Sequence, residues 1–281
     1  MKSIREFVGE ALGTFILVFF GCGVVAVSVL FDAMQGLLQI AFVFGTGVTL
    51  AIYATRHLSC AHLNPAVSLA MAASGRMSAR KLPAYLAGQF LGAFFAALVL
   101  YALFSPSIAS FEQSGGIVRG SADSVLTARM FGEYYQIPGS SAVVSLPLAM
   151  GAEALGTFVL VLIIFALTEG CNVGRPDNNM TPLFVGLTVT AIICVLAPLT
   201  QAGLNPARDF SPRLVAWLFG WGRAAFPDGI GGFFWVYMLA PVLGGQAAAL
   251  LFTRGLQRLF KGATEACGCG CANVESGGDV Q

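Results

Sequence analysis

Apolar residues come in long unbroken runs along this chain, separated by short polar turns. Runs at about 8–30, 36–55, 83–104, 147–168, 181–200 and 232–253 each reach the roughly 20 residues that a helix needs to cross a hydrocarbon core of about 30 Å. Two further apolar segments are only half that length, from Pro65 to about Ser74 and from Pro206 to about Leu218. At 1.5 Å per residue, a ten-residue helix covers about 15 Å. Such a segment enters the bilayer and returns to the same side. The pattern therefore predicts an all-α membrane protein of six transmembrane helices plus two re-entrant half-helices. The first run is too long for the apolar core of a signal peptide and lacks a small-residue cleavage pattern, so it reads as the first span. Pro212 lies inside the second half-helix and predicts a local distortion there.

Each half-helix opens on the same tripeptide, Asn64-Pro65-Ala66 and Asn205-Pro206-Ala207. Asn suits the N-cap, and Pro suits the first helical position, where its missing N–H has no partner to lose. The surrounding sequence repeats as well. Glu10-Ala-Leu-Gly-Thr-Phe15 recurs as Glu153-Ala-Leu-Gly-Thr-Phe158, and Gly92-Ala-Phe-Phe-Ala-Ala97 has a weaker echo in Gly244-Gly-Gln-Ala-Ala-Ala249. Three spans per half is an odd number, so the second half enters from the opposite side as an inverted repeat. The two half-helices then dip in from opposite faces, and their N-termini meet near the midplane.

The expected organisation is a single channel domain over 1–260, with repeats at about 5–125 and 146–260, followed by a disordered tail over 261–281. The connection 105–146 is expected to fold over one mouth without forming a domain. Lys2, Arg5, Arg56, Arg76, Arg80, Lys81, Arg175, Arg254, Arg258 and Lys261 fall on the side that bears both termini. Arg119, Arg129, Arg208, Arg213 and Arg223 fall on the other. This bias places the N- and C-termini in the cytoplasm and the protein in an inner (plasma) membrane.

Composition reinforces the membrane assignment. The chain is 57% hydrophobic and 10% charged, against about 25% charged in a soluble domain. A net charge of +1 gives no sign of a nucleic-acid partner. Cys22, Cys60, Cys171 and Cys194 sit in or beside apolar runs and read as buried free thiols. Cys267, Cys269 and Cys271 alternate with glycine in the tail. Such a tail reads as disordered and without a fixed role, although close thiols of this kind also suit soft metals or palmitoylation. The chain has no H-E-x-x-H, no G-x-S-x-G and no catalytic pair near the Asn residues, so neither an enzyme nor a cofactor is expected.

The polar residues inside apolar surroundings carry the functional expectation. Each Asn carbonyl can cap its half-helix while its amide N–H groups serve as donors in a pathway. Two positive helix ends beside them oppose cations and suit neutral hydroxyl-bearing molecules. Arg208 follows the second tripeptide and offers a fork of donors to a solute; a merely anchoring Arg is the alternative. Asp209 is expected to fix the outer segment by pairing with a nearby Arg or capping N–H groups. Glu10 and Glu153 have two readings, proton coupling or acceptance of the N–H groups that re-entrant loops expose, and their duplication favours the second. His62 reads as a hydrogen-bonded loop residue or as a lining of the inner vestibule. The pairs Gly9/Gly13 and Gly88/Gly92 predict close helix crossings.

These features resemble the major intrinsic protein family of aquaporins and aquaglyceroporins. The resemblance covers about 5–260 and rests on Ala61-His-Leu-Asn-Pro-Ala-Val67, Gly203-Leu-Asn-Pro-Ala-Arg-Asp-Phe210 and the paired Glu-Ala-Leu-Gly-Thr-Phe segments. Asp209, Phe111-Glu-Gln and Gly116-Ile-Val-Arg-Gly-Ser121 resemble the glycerol-facilitator branch. The family implies a homotetramer with one pore per subunit, and a four-residue filter that falls here on Phe44, Ile193, Ala202 and Arg208. Water-selective members carry His at the second position, where this chain has Ile193. Glycerol facilitators place aromatic residues at the first and third, where this chain keeps Phe44 and has Ala202. An Ile beside small residues is also similar to nodulin-like members that pass boric acid or arsenite. The resemblance thus implies a passive channel for glycerol, other polyols and water that excludes protons and ions. Urea or neutral metalloid hydroxides are alternative solutes, and an ion-coupled secondary transporter is the alternative of another class.

Overall fold

A computed structural model describes residues 2–137, 141–226 and 232–266. Among the described residues, six helices are long and apolar enough to cross a membrane. In the first half these are α1 (Lys2–Phe31), α2 (Leu37–Ser59) and α4 (Leu82–Ser114). In the second half they are α6 (Leu146–Leu167), α7 (Thr181–Thr200) and a last span, Phe234–Gly262, whose central part is α9 (Ala240–Leu251). Between the spans lie the two short helices α3 (Pro65–Ala73) and α8 (Pro206–Ala216). A single turn, α5 (Val125–Ala128), belongs to the long connection after α4, and α10 (Gln257–Ala266) continues the last span.

The repeat governs the packing. In the first half α1 lies along α4 and α2; in the second α6 lies along α9 and α7, and α2 meets α7 between the halves. Lipid tails provide no hydrophobic drive for these contacts, so they depend on close backbone approach at small residues. A Cβ on Gly92 of α4 would collide with the carbonyl of Ala11 on α1, and one on Gly244 of α9 would collide with the carbonyl of Ala154 on α6. Gly88 fits against the Phe7 carbonyl in the same way. Gly9 and Gly13 make room for the end of α2 and for Leu63 in the following loop. At the seam between the halves, Gly45 faces Thr190 and Gly186 faces Thr49. Thr49 and Thr190 return their hydroxyls to carbonyls within their own helices and across the seam. Large apolar residues such as Leu38, Phe42, Phe95, Leu103, Leu155, Val195 and Leu250 remain exposed on the outside of the bundle, as a hydrocarbon surrounding allows.

Several boundaries differ from the sequence expectation. Helix α4 runs ten residues beyond its apolar run and passes through Pro106 without ending. Its polar last turns are fastened to the connection, where Glu112 pairs with Arg119 and accepts from Thr127. Helix α8 is unbroken at Pro212; the irregular backbone lies further on, at Phe219 and Gly220. Pro212 removes one bond from a short helix that its neighbours hold, and the helix continues through it. The last span stays helical to Ala266, into the segment expected as tail. Residues 267–281, with Cys267, Cys269 and Cys271, lie outside the described residues. Of the thiols, Cys22 is buried and free as expected; Cys60 and Cys194 are free but exposed and half-buried, and Cys171 is held in a disulfide.

The glycine contacts generate a test. Gly92→Ala should lower stability by about 1–3 kcal/mol, seen as a lower thermal midpoint of the detergent-solubilised protein. Gly151→Ala, whose Cβ would meet nothing within 4 Å, should leave the midpoint unchanged.

Candidate functional site: the junction of the half-helices

The chain approaches α3 and α8 through two matching loops with unusual backbone. Cys60, Ala61 and Leu63 before α3, and Gln201, Ala202 and Leu204 before α8, all have φ between 52° and 69°. Left-handed backbone at non-glycine residues costs about 1 kcal/mol or more each and persists only where surroundings enforce it. Two buried carboxylates do so. Glu10 accepts from the His62 and Leu63 N–H groups at 2.9 and 2.7 Å and from Ser59 Oγ at 2.7 Å. Glu153 accepts from the Gly203 and Leu204 N–H groups at 2.9 and 2.7 Å and from Thr200 Oγ1 at 2.6 Å. Ser59 and Thr200 in turn accept from Ala61 and Ala202 N–H. Tyr85 and Tyr237 complete the correspondence by donating to the carbonyls of Ser59 and Thr200. Gln89 has no counterpart in the second half; it links Glu10 to Ser68.

The Asn side chains do more than cap. Asn64 Oδ1 accepts from Ala66 N–H at 2.9 Å, and Asn205 Oδ1 accepts from Ala207 and Arg208 N–H at 3.1 and 3.3 Å. Each amide also donates across the pseudo-twofold axis. Asn64 Nδ2 bonds the Leu204 carbonyl at 2.9 Å, and Asn205 Nδ2 bonds the Leu63 carbonyl at 2.7 Å. Pro65, Ala66, Pro206 and Ala207 are buried beneath them. One N–H per amide is left uncommitted, and both Asn residues line a cavity of about 720 Å³.

This cavity opens on the face that carries the chain termini, beside Arg76, Met77, Ser78, Lys81 and Gln257. It passes His62, Asn64 and Asn205, and its far end is walled by Phe44, Val189, Ala202 and Gly203. His62 makes a 3.2 Å contact to Ser68 Oγ through Nδ1 and packs near Tyr85. Arg76 holds its side of the mouth through Glu169 at 2.6 Å and lies over the rings of Phe165 and Phe252. Ile193 and Arg208 do not reach the cavity wall. Ile193 joins the apolar core with Phe44 and Ala202, and Arg208 is 1% exposed.

Arg208 sits just beyond the cavity, its guanidinium 5.3 Å from the Phe44 ring centre. Nη1 contacts Cys22 Sγ at 3.4 Å, and Nη2 is ion-paired with Glu133 of the long connection. Asp209 accepts from Arg213 Nε at 2.7 Å and from the Glu133 N–H at 2.7 Å. Arg213 also donates to the carbonyls of Ala225 and Glu133. Gln201 accepts from Tyr134 N–H at 2.7 Å. Burial pushes the Glu133 carboxyl up to about 7, although Arg208 pulls it down.

The sequence-predicted residues thus fall into two groups. Asn64, Asn205, His62, Phe44 and Ala202 line one cavity; Arg208, Ile193 and Asp209 lie at or beyond its closed end. Ser59, Thr200, Tyr85 and Tyr237 join the site without a motif of their own, although the repeat aligns them in pairs. Glu133, Cys22 and Arg213 carried no such mark. Among the described residues, no group of three or more His, Cys, Asp or Glu is placed to hold a metal.

The family model described as major intrinsic protein matches residues 1–252. The glycerol uptake facilitator protein of Haemophilus influenzae is 40% identical over 96% of this chain and 99% of its own length. That of Pseudomonas aeruginosa is 42% identical over 85% of this chain and 84% of its own length. An X-ray structure of the aquaglyceroporin from Plasmodium falciparum has a TM-score of 0.80 at 26% identity, covering 92% of this chain and 99% of that one. Two capped half-helices joined at the centre of an inverted repeat, together with these likenesses, place the chain in the major intrinsic protein family.

Proposed function

We propose that this chain is a passive channel for small uncharged solutes, glycerol first, with other polyols and water also passing. The observation that carries the reading is the cavity that ends on Phe44 and Ala202 and runs past two Asn donors held at the abutting ends of α3 and α8. A polyol needs hydroxyl partners on one side and an apolar wall for its carbon backbone on the other. The uncommitted Asn N–H groups and loop carbonyls provide the first, and Phe44, Val48, Val189 and Leu160 provide the second. The two positive helix ends oppose cations. The relatives named for glycerol uptake support glycerol as the first solute.

Glu10 and Glu153 are positioning residues in this reading. Their carboxylate oxygens are occupied by loop N–H and hydroxyl groups, which disfavours proton coupling. The second reading is a channel for neutral metalloid hydroxides, favoured by Ala202 standing where glycerol facilitators have an aromatic residue. The Lys/Arg bias supports an inner-membrane protein with both termini in the cytoplasm, and membership of the family supports a homotetramer as the functional unit.

Stopped-flow measurements in proteoliposomes compare glycerol, water, urea and arsenous acid. Glycerol flux well above empty vesicles, linear in its gradient and unchanged by a protonophore, is expected. Arsenous acid outrunning glycerol would favour the second reading, and dependence on an ion gradient would favour a coupled transporter. Arg208→Ala should flatten the ranking among solutes; an unaltered ranking would remove Arg208 from the filter. Asn205→Ala, which loses the cap and the bond to Leu63, should destabilise the protein by about 2 kcal/mol, read from its thermal midpoint.

A further inference from the structure

At the closed end of the pathway two charged side chains face each other, and each keeps one unused polar atom. Arg208 and Glu133 are 1% and 3% exposed and form an ion pair. Arg208 Nε, a donor, and Glu133 Oε2, an acceptor, are both buried without a hydrogen-bond partner. A buried polar atom left unpaired is costly, about 1–3 kcal/mol and more when charged, so such a pair is poised to take a ligand. A hydroxyl group is both donor and acceptor and complements the two atoms together.

The position borders the path. Gly203 belongs to the wall of the main cavity, and the Glu133 Cγ lies 3.5 Å from where a Gly203 Cβ would stand. On its other side Glu133 borders a small pocket of about 70 Å³ with Tyr135, Gln136 and Phe233. Glu133 therefore stands between the Gly203 wall of the main cavity and this pocket. The main chain of Glu133 is fixed independently, because its N–H donates to Asp209 and its carbonyl accepts from Arg213. The side chain can change without releasing the connection.

We propose that Glu133 is a specificity-determining residue of the channel, forming with Arg208 a donor–acceptor subsite for one hydroxyl of a permeating polyol. This rests on the reading of the chain as a polyol channel. The solute O–H donates to Glu133 Oε2, and its oxygen accepts from Arg208 Nε. The carboxylate also cancels the Arg208 charge, so that a hydroxyl is held and then released rather than bound tightly by a lone guanidinium. Removing the acceptor leaves an unbalanced cation that favours water over polyol.

Protonation reads out the same pair. Glu133 faces Arg208, Asp209 and Arg213 of α8 and Arg129 of its own connection. The neutral groups Cys22 of α1, Tyr134 of the connection and Tyr237 of the last span surround it, with Glu153 of α6 beyond. With its carboxyl pushed up to about 7, Glu133 is charged and paired above that pH and protonated below it. The acceptor then becomes a donor, and the glycerol-to-water ratio falls as pH falls from 8 to 6.

The test measures glycerol and water permeability in proteoliposomes from pH 6 to 8 for the wild type, Glu133→Ala and Glu133→Gln. For Glu133→Ala, a glycerol-to-water ratio about tenfold lower is expected. For Glu133→Gln, which keeps shape and an acceptor, a smaller loss and a ratio independent of pH are expected. If Glu133→Ala does not fold, the pH profile of Glu133→Gln decides alone. A wild type that conducts glycerol while both variants keep its ratio and its pH profile overturns the subsite. A wild type that conducts no glycerol overturns the polyol channel itself, whatever the variants do.

Discussion

Everything in this structure depends on carboxylates that satisfy backbone N–H groups where no water can. A loop that ends halfway through a bilayer exposes amides to hydrocarbon, and each unsatisfied group costs several kcal/mol. Glu10 and Glu153 settle this for the two loops, from the same position of the first span in each half. Only with those bonds in place can Ala61, Leu63, Ala202 and Leu204 keep a left-handed backbone. That backbone places Asn64 and Asn205 at the starts of α3 and α8 and aims the Leu63 and Leu204 carbonyls at the opposite Asn. A single interaction, repeated by duplication, thus sets the ends of two helices and the walls of the cavity between them.

The duplication is obeyed closely near the axis and abandoned away from it. Ser59 and Thr200, Tyr85 and Tyr237, and Gly92 and Gly244 do equivalent work in the two halves. At the mouths the halves diverge. One end is braced by Arg76, Glu169 and the rings of Phe165 and Phe252. The other is braced by Asp209, Arg213 and a connection whose Phe131 and Tyr134 share a core with Trp221, from the segment after α8. An equivalent scaffold therefore carries two different entrances, and a pathway through it is chemically directional even though transport down a gradient is not.

Hydrophobic run length made the six spans and two half-spans legible, because the bilayer imposes a length that few other surroundings demand. The repeated Glu-Ala-Leu-Gly-Thr-Phe and Asn-Pro-Ala segments made the inverted symmetry legible. Helix ends were less so. Helix α4 continues to Ser114 because Glu112 is tied to Arg119 and Thr127, a contact that hydropathy does not register. The amide bonds from each Asn to the other half were also invisible, since they join residues distant in sequence. Glu133 escaped for a related reason. It lies in a polar connection where a carboxylate is unremarked, and its importance arises only when the connection folds down onto Arg208.

The reciprocal amide bonds at the axis have a mechanical consequence. Each half holds the other at its centre, so neither can rock against its twin without breaking both links in dry surroundings. A carrier of the airlock type needs that rocking. This protein is built instead so that its two halves stay locked together at the axis, whichever way the crowd is pushing.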